Sequence, residues 1–289
     1  MKKVKKNVFN LRELQDRVSR SRATHGPLSP VPGTTYATPS VPTNGDTPTH
    51  RPNQGIRGKP GSLTIAIPSL ISSLEKNEGY RIGILGESGA GKTSAIKHFL
   101  AIPFDGVTLI HDEKAGNPQF DGYTVQYANI ASVPDNVDTV VFRGDPYNRT
   151  TVEVNSVALL ALKLARLRIP VRLVIDELDR AVTDGGRALN SPAVRECITQ
   201  GRAMKLCVLW STQLPQRAPV EMLDNASAIV LGRCGPRAVN YLDQRCFFTD
   251  DETASIKGLK THYEDNRTVG ELVVHRNGKP WDGRVYSNE

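Results

Sequence analysis

Eight consecutive residues, Gly86-Glu87-Ser88-Gly89-Ala90-Gly91-Lys92-Thr93, fit the pattern GxxxxGK[ST] without a gap. An apolar run, Tyr80–Leu85, stands before them, and a stretch of helical character, Thr93–Leu100, follows. Strand, glycine turn and helix in that order predict a phosphate-binding loop. The glycines let the backbone curl until several N–H groups face one centre, and the helix N-terminus adds its positive pole. Gly86, Glu87, Ser88, Gly89, Ala90 and Gly91 form the cradle, and Ser94 follows on the helix. Lys92 is the residue expected on the β- and γ-phosphates, and the Thr93 hydroxyl the one expected on Mg²⁺. The expected ligand is therefore ATP with Mg²⁺. A chance glycine turn before a helix is the bland alternative, but it leaves the Lys-Thr ending unexplained.

The segment after this loop alternates strand and helix. Strands are expected at Gly106–His111, Asp138–Phe142, Val171–Ile175, Leu206–Ser211 and Ala228–Leu231, and helices at Val154–Arg168 and Ala193–Met204. Such alternation predicts an α/β fold with a mainly parallel sheet flanked by helices. Leu272–His275 and Arg284–Tyr286, set around Asn277-Gly278, read as a C-terminal β-hairpin. Val171–Ile175 runs directly into Asp176-Glu177. An apolar strand ending in two acids places them at the carboxyl edge of the sheet, where ligands of open α/β folds bind. Asp176 suits a Mg²⁺ partner beside Thr93, and Glu177 suits a general base for the attacking water. Capping of a following helix is the structural alternative for both acids.

The net charge of +7 is uneven along the chain. Residues 1–26 carry eight Lys and Arg against Glu13 and Asp16, and 27–60 add Arg51, Arg57 and Lys59 against Asp46, so the remainder stands at −1. Eight prolines fall between Pro27 and Pro60, a composition that cannot bury enough apolar surface to offset its ordering entropy. Residues 1–61 are therefore expected to be a basic, Pro-rich disordered tail with a short helix near Val8–Arg22, and 62–289 the ATPase domain. The tail could hold nucleic acid or serve only as a solubilising extension. No apolar run reaches the ~18 residues of a transmembrane segment. The four cysteines show no CxxC pair, which favours reduced thiols and a cytoplasmic setting.

The run Leu206-Cys207-Val208-Leu209-Trp210-Ser211-Thr212-Gln213-Leu214-Pro215, preceded by Gln200-Gly201-Arg202-Ala203, resembles the FtsK/HerA family of DNA-translocating ATPases. His111-Asp112-Glu113-Lys114 resembles that family's turn after the second strand, and the C-terminal hairpin its closing element. The resemblance spans roughly residues 78–288. It implies a RecA-like (ASCE) P-loop NTPase fold, with Leu206–Ser211 inserted between the loop strand and the acid-pair strand. It also implies that Gln213 contacts the γ-phosphate and the lytic water, and that the active site lies at the seam of a homo-oligomeric ring, usually a hexamer. Arg202 is then the first candidate for the arginine supplied in trans, and Arg195 the second; Arg180 and Arg187 stay open. The size of the chain is similar to that of viral genome-packaging ATPases. The expected partners are double-stranded DNA, gripped without sequence preference, and a capsid or membrane-vertex protein, in the host cytoplasm or the virion. The alternative is an assembly, secretion or conjugation coupling ATPase that acts on protein partners.

Overall fold

The structure is a computed structural model, and it describes residues 61–62, 79–112, 120, 124–127, 138–143, 153–178, 189–264, 267–275 and 284–286. The chain divides into Met1–Arg57 and Gly58–Glu289, and every described residue belongs to the second unit. The expected tail, with the short helix expected near Val8–Arg22 and the proline-rich stretch Pro27–Pro60, lies outside the described residues.

Eleven strands occur among the described residues: β1 Gly61–Ser62, β2 Arg81–Leu85, β3 Val107–Asp112, β4 Thr124–Tyr127, β5 Thr139–Arg143, β6 Val171–Ile175, β7 Leu206–Thr212, β8 Ala228–Leu231, β9 Thr261–Glu264, β10 Arg267–His275 and β11 Arg284–Tyr286. They pair in the order β1-β11-β10-β8-β2-β7-β6-β3-β5-β4, with β9 also on β10. Every pairing from β8 to β4 is parallel. On the other side β10 runs antiparallel to β8 and β11, with Leu272 opposite Val285. The expected C-terminal hairpin strands are thus paired. The β9–β10 hairpin, Val269 opposite His262, was not legible in the sequence.

The helices are α1 Lys92–Ala101, α2 Val154–Arg166, α3 Pro192–Thr199, α4 Val220–Asp224, α5 Pro236–Cys246 and α6 Asp250–Lys257. One core joins Ile82, Ile84, Ile96, Phe99, Val174 and Leu209, so α1 covers one face of the central strands. Side chains alternate along a strand, and Leu173, Ile175, Val208 and Trp210 therefore project from the opposite face, all fully buried. There α2 and α3 pack on one another and on β6 and β7. Each such Ile or Leu contributes about 1.5–3 kcal/mol when removed from water. Gly83 is the small residue this packing needs, since a Cβ there would lie 2.6 Å from the Trp210 ring.

Ala193–Met204 is not one helix. α3 stops at Thr199, and Gly201–Met204 turns as a 3-10 segment. Lys205 then takes the left-handed conformation at φ 56°, which redirects the chain into β7.

Candidate nucleotide site

The phosphate loop leaves the carboxyl end of β2 and enters α1 through Gly91, whose φ of 81° is open to glycine at no steric cost. Gly89 has φ 75°. Lys92 is buried at the first position of α1, and its Nζ donates to the carbonyls of Gly86 (2.9 Å) and Glu87 (2.8 Å). The ammonium is thus folded over the loop, where phosphate oxygens are expected. At the far end of α1, buried Arg172 of β6 donates to Phe99 O (2.7 Å) and Ile102 O (3.3 Å). A cation on these terminal carbonyls satisfies the helix end and complements its dipole, which fixes the helix carrying Lys92 and Thr93.

β7 lies between β2 and β6, as the resemblance implied. Its tip ties the two halves of the site together. Gly86 N–H donates to Thr212 O (3.3 Å), joining the loop to β7. Ser211 Oγ donates to Asp176 Oδ1 (2.5 Å) and accepts from Glu177 N–H (3.0 Å). Gln213 Nε2 donates to Glu177 Oε1. Asp176 and Glu177 are each only 1% exposed, and Asp176 N–H donates to His111 O (3.0 Å) on β3. The loop and the acid pair therefore share the carboxyl edge of the sheet, two strand positions or roughly 10 Å apart.

Glu177 has φ 53°, in the left-handed region where a non-glycine residue costs about 1–2 kcal/mol. The Ser211 bond holds the turned amide of Glu177 in place. Neither Ser211 nor this conformation was singled out from sequence. The signal available was a hydroxyl residue at the end of an otherwise apolar strand, next to the Thr212-Gln213 pair.

The donor set fits Mg²⁺. The Thr93 hydroxyl and the Asp176 carboxylate are hard oxygen ligands, and no group of three or more His, Cys, Asp or Glu is gathered for a metal among the described residues. Mg²⁺ commonly binds through one or two protein oxygens, the substrate phosphates and water.

Arg202 is not brought to these residues. It is exposed on the 3-10 turn before β7, at the opposite end of the strand from Gln213. Arg195 donates through Nε to Glu221 (2.9 Å) and through Nη2 to Leu189 O (2.9 Å). Arg180, Arg187 and Lys114 lie outside the described residues. Near the phosphate loop, Arg233 Nη2 pairs with Glu87 Oε2 at 3.1 Å.

A parallel sheet with a strand between loop strand and acid strand, a glycine cradle and a buried acid pair on one edge define a RecA-like P-loop NTPase fold. Among solved structures, the chain is similar to the genome packaging NTPase B204 of Sulfolobus turreted icosahedral virus 2. The complex with AMPPCP matches at TM-score 0.55 and 14% identity, over 73% of this chain and 97% of that one. The complexes with sulfate and with ATP-gammaS match at TM-scores of 0.54 and 0.53, each at 16% identity and the same coverage. No family model matches, and no curated protein is similar at the sequence level. Among the described residues, no helix is long and apolar enough to cross a membrane.

Proposed function

We propose that this chain is an ATP-hydrolysing motor of the FtsK/HerA type, which moves double-stranded DNA and packages a viral genome. The observation that carries the reading is the tip of β7. It stands between the phosphate loop and the acid pair and sets Gln213 on Glu177. A buried Glu held by a side-chain amide suits activation of water, which favours hydrolysis over phosphoryl transfer to a small molecule. The fold likeness to a genome packaging NTPase supports the same reading.

In this mechanism the loop N–H groups and Lys92 hold the β- and γ-phosphates. Thr93 and Asp176 hold Mg²⁺, which supplies charge neutralisation on the phosphate oxygens when bound. Glu177 accepts the proton of the attacking water, and Gln213 orients that water and registers loss of the γ-phosphate. The strand β7 spans seven residues, or roughly 20 Å, so an arginine at its amino end cannot serve the nucleotide of its own chain. Arg202 acts, in this reading, on the nucleotide of the neighbouring subunit in a hexameric ring, where it stabilises charge on the transferring phosphoryl group. Residues 1–61 form the basic tail of the 62–289 motor domain. DNA is gripped through its phosphates, and a capsid or membrane-vertex protein anchors the ring, in the host cytoplasm or on the virion.

The test is ATP turnover with and without linear double-stranded DNA at low salt, on the full chain and on Lys92→Ala. DNA should stimulate turnover several-fold, with the stimulation fading as salt rises. Lys92→Ala should abolish turnover. Turnover indifferent to DNA at all salt concentrations sinks the motor.

A further inference from the structure

We infer that Ser211 is a positioning residue that sets the geometry of both acids through one hydroxyl. The inference rests on the reading of Asp176 and Glu177 as the hydrolytic pair. Ser211 is fully buried at the tip of β7. Its Oγ–H is spent on Asp176 Oδ1 at 2.5 Å, and its lone pair receives Glu177 N–H at 3.0 Å. The two bonds point in opposite senses, so the hydroxyl has a fixed polarity. Asp176 Oδ1 must accept on that side, and the Glu177 amide must face β7.

The second bond explains the backbone of Glu177. A residue at φ 53° stays there only when its surroundings over-determine it. Ser211 supplies the acceptor that the turned amide requires. With the amide held on β7, the Glu177 side chain comes to lie against the Gln213 amide, on the same strand tip. Ser211, Glu177 and Gln213 thereby form one closed circuit from β7 to the acid pair and back. Gly86 N–H on Thr212 O ties that tip to the phosphate loop. A displacement of the loop that accompanies nucleotide exchange is thus passed to Ser211 and both acids together. This assigns to Ser211 the alignment of the metal-binding and water-activating carboxylates.

Two measurements test the assignment. The first is the crystal structure of Ser211→Ala. Glu177 should leave the left-handed region and lose its contact with Gln213. A Glu177 that keeps φ near 53° with Gln213 still on its carboxylate overturns the inference, whether or not the protein has any turnover. The second is a double-mutant cycle in ATP turnover. Ser211→Ala should lower kcat by roughly 30-fold in the wild-type background with KM within about threefold, and by less than about threefold in Glu177→Gln, because residues that act as a unit are not additive. Equal losses in both backgrounds overturn it, since damage to the fold alone multiplies independently. Ser211→Cys keeps a side chain in the site, slightly larger and with only a feeble hydrogen-bonding group, and carries both readouts if the alanine variant does not fold. An inactive wild type defeats the hydrolase reading, while the crystallographic arm still decides the role of Ser211.

Discussion

Two buried carboxylate sites end neighbouring strands of the same sheet, and they are held in opposite ways. Asp112, at the end of β3, receives Arg143 Nε at 2.9 Å and Nη2 at 2.6 Å on one oxygen, and both side chains are almost wholly buried. Asp176 and Glu177, at the end of β6, receive the neutral donors of Ser211 and Gln213. A guanidinium cancels the charge of the acid it orients, whereas a hydroxyl or an amide orients the acid through a neutral donor. The first arrangement closes a structural ion pair. The second suits acids that must meet a cation and a proton during turnover.

The contrast can be broken most directly at Glu177. Glu177→Gln keeps the shape and the Gln213 contact but removes the base. It should lower kcat by about 10³-fold, or roughly 4 kcal/mol in the barrier, with ATP affinity within about threefold. A loss that falls on affinity instead would show that Glu177 only shapes the pocket. Arg143→Met should act on stability and not on chemistry. It leaves Asp112 buried without its partner at a cost of about 3–5 kcal/mol, seen as a fall of roughly 10 °C in melting temperature. Replacing Asp112 by Leu as well should recover most of that loss, since a buried pair is often no better than apolar residues of similar volume. Recovery of stability with collapse of turnover would move Asp112 into the catalytic group. Gln213→Ala should lower kcat by a smaller factor, about 10- to 100-fold, with the melting temperature nearly unchanged. If its loss equals that of Glu177→Gln, the amide is as necessary as the base.

The smallest effect concerns the thiols. Cys197, Cys207, Cys234 and Cys246 are buried thiols outside any disulfide. Burial pushes the thiols of Cys197, Cys234 and Cys246 up to about 12 from an ordinary value of 9.0. The folded state therefore favours the protonated form. The stability this represents is fully present below pH 9 and is lost as pH rises from 9 towards 12. The native protein should react only slowly with thiol reagents at pH 8, and its melting temperature should begin to fall above about pH 9. Rapid labelling of Cys234, whose Sγ donates to Gly232 O close to the phosphate loop, would mean that this edge opens in solution.

What could be read from the sequence followed the strength of local signals. The phosphate loop was legible because only glycine suits its turned positions and a Lys-Thr ending has few other uses. β6 and β7 were legible because strands buried on both faces are nearly all apolar. The strand Thr124–Tyr127 was missed because the alternation of TVQY lasts only four residues, too short a run to stand out. α5 escaped because its buried Val239, Tyr241 and Leu242 are diluted by Arg, Asn, Asp and Gln on its other side. α6 is announced by a capping box, Thr249 with Glu252, that went unread. That same Glu252 also reaches buried His275 on β10 at 2.8 Å, a long-range contact that no local pattern encodes. The break at Gln200 falls where Gly201, a poor helix former, begins the 3-10 turn. The left-handed turn at Glu177 was invisible for a related reason, since it is imposed by Ser211 from another strand.

The placement of β2 has a consequence for how the protein is made. Arg81 pairs with Val208 on one side, and Ile82 with Ala228 on the other, so the strand that launches the phosphate loop finds its neighbours more than a hundred residues later. As the chain leaves the ribosome, β3, β5 and β6 can zip together while the glycine turn still lacks its bed. Nucleotide can therefore assist only the last stage of folding, and a ribosome stalled before β7 holds a sheet whose β6 edge is bare and prone to pair with another chain.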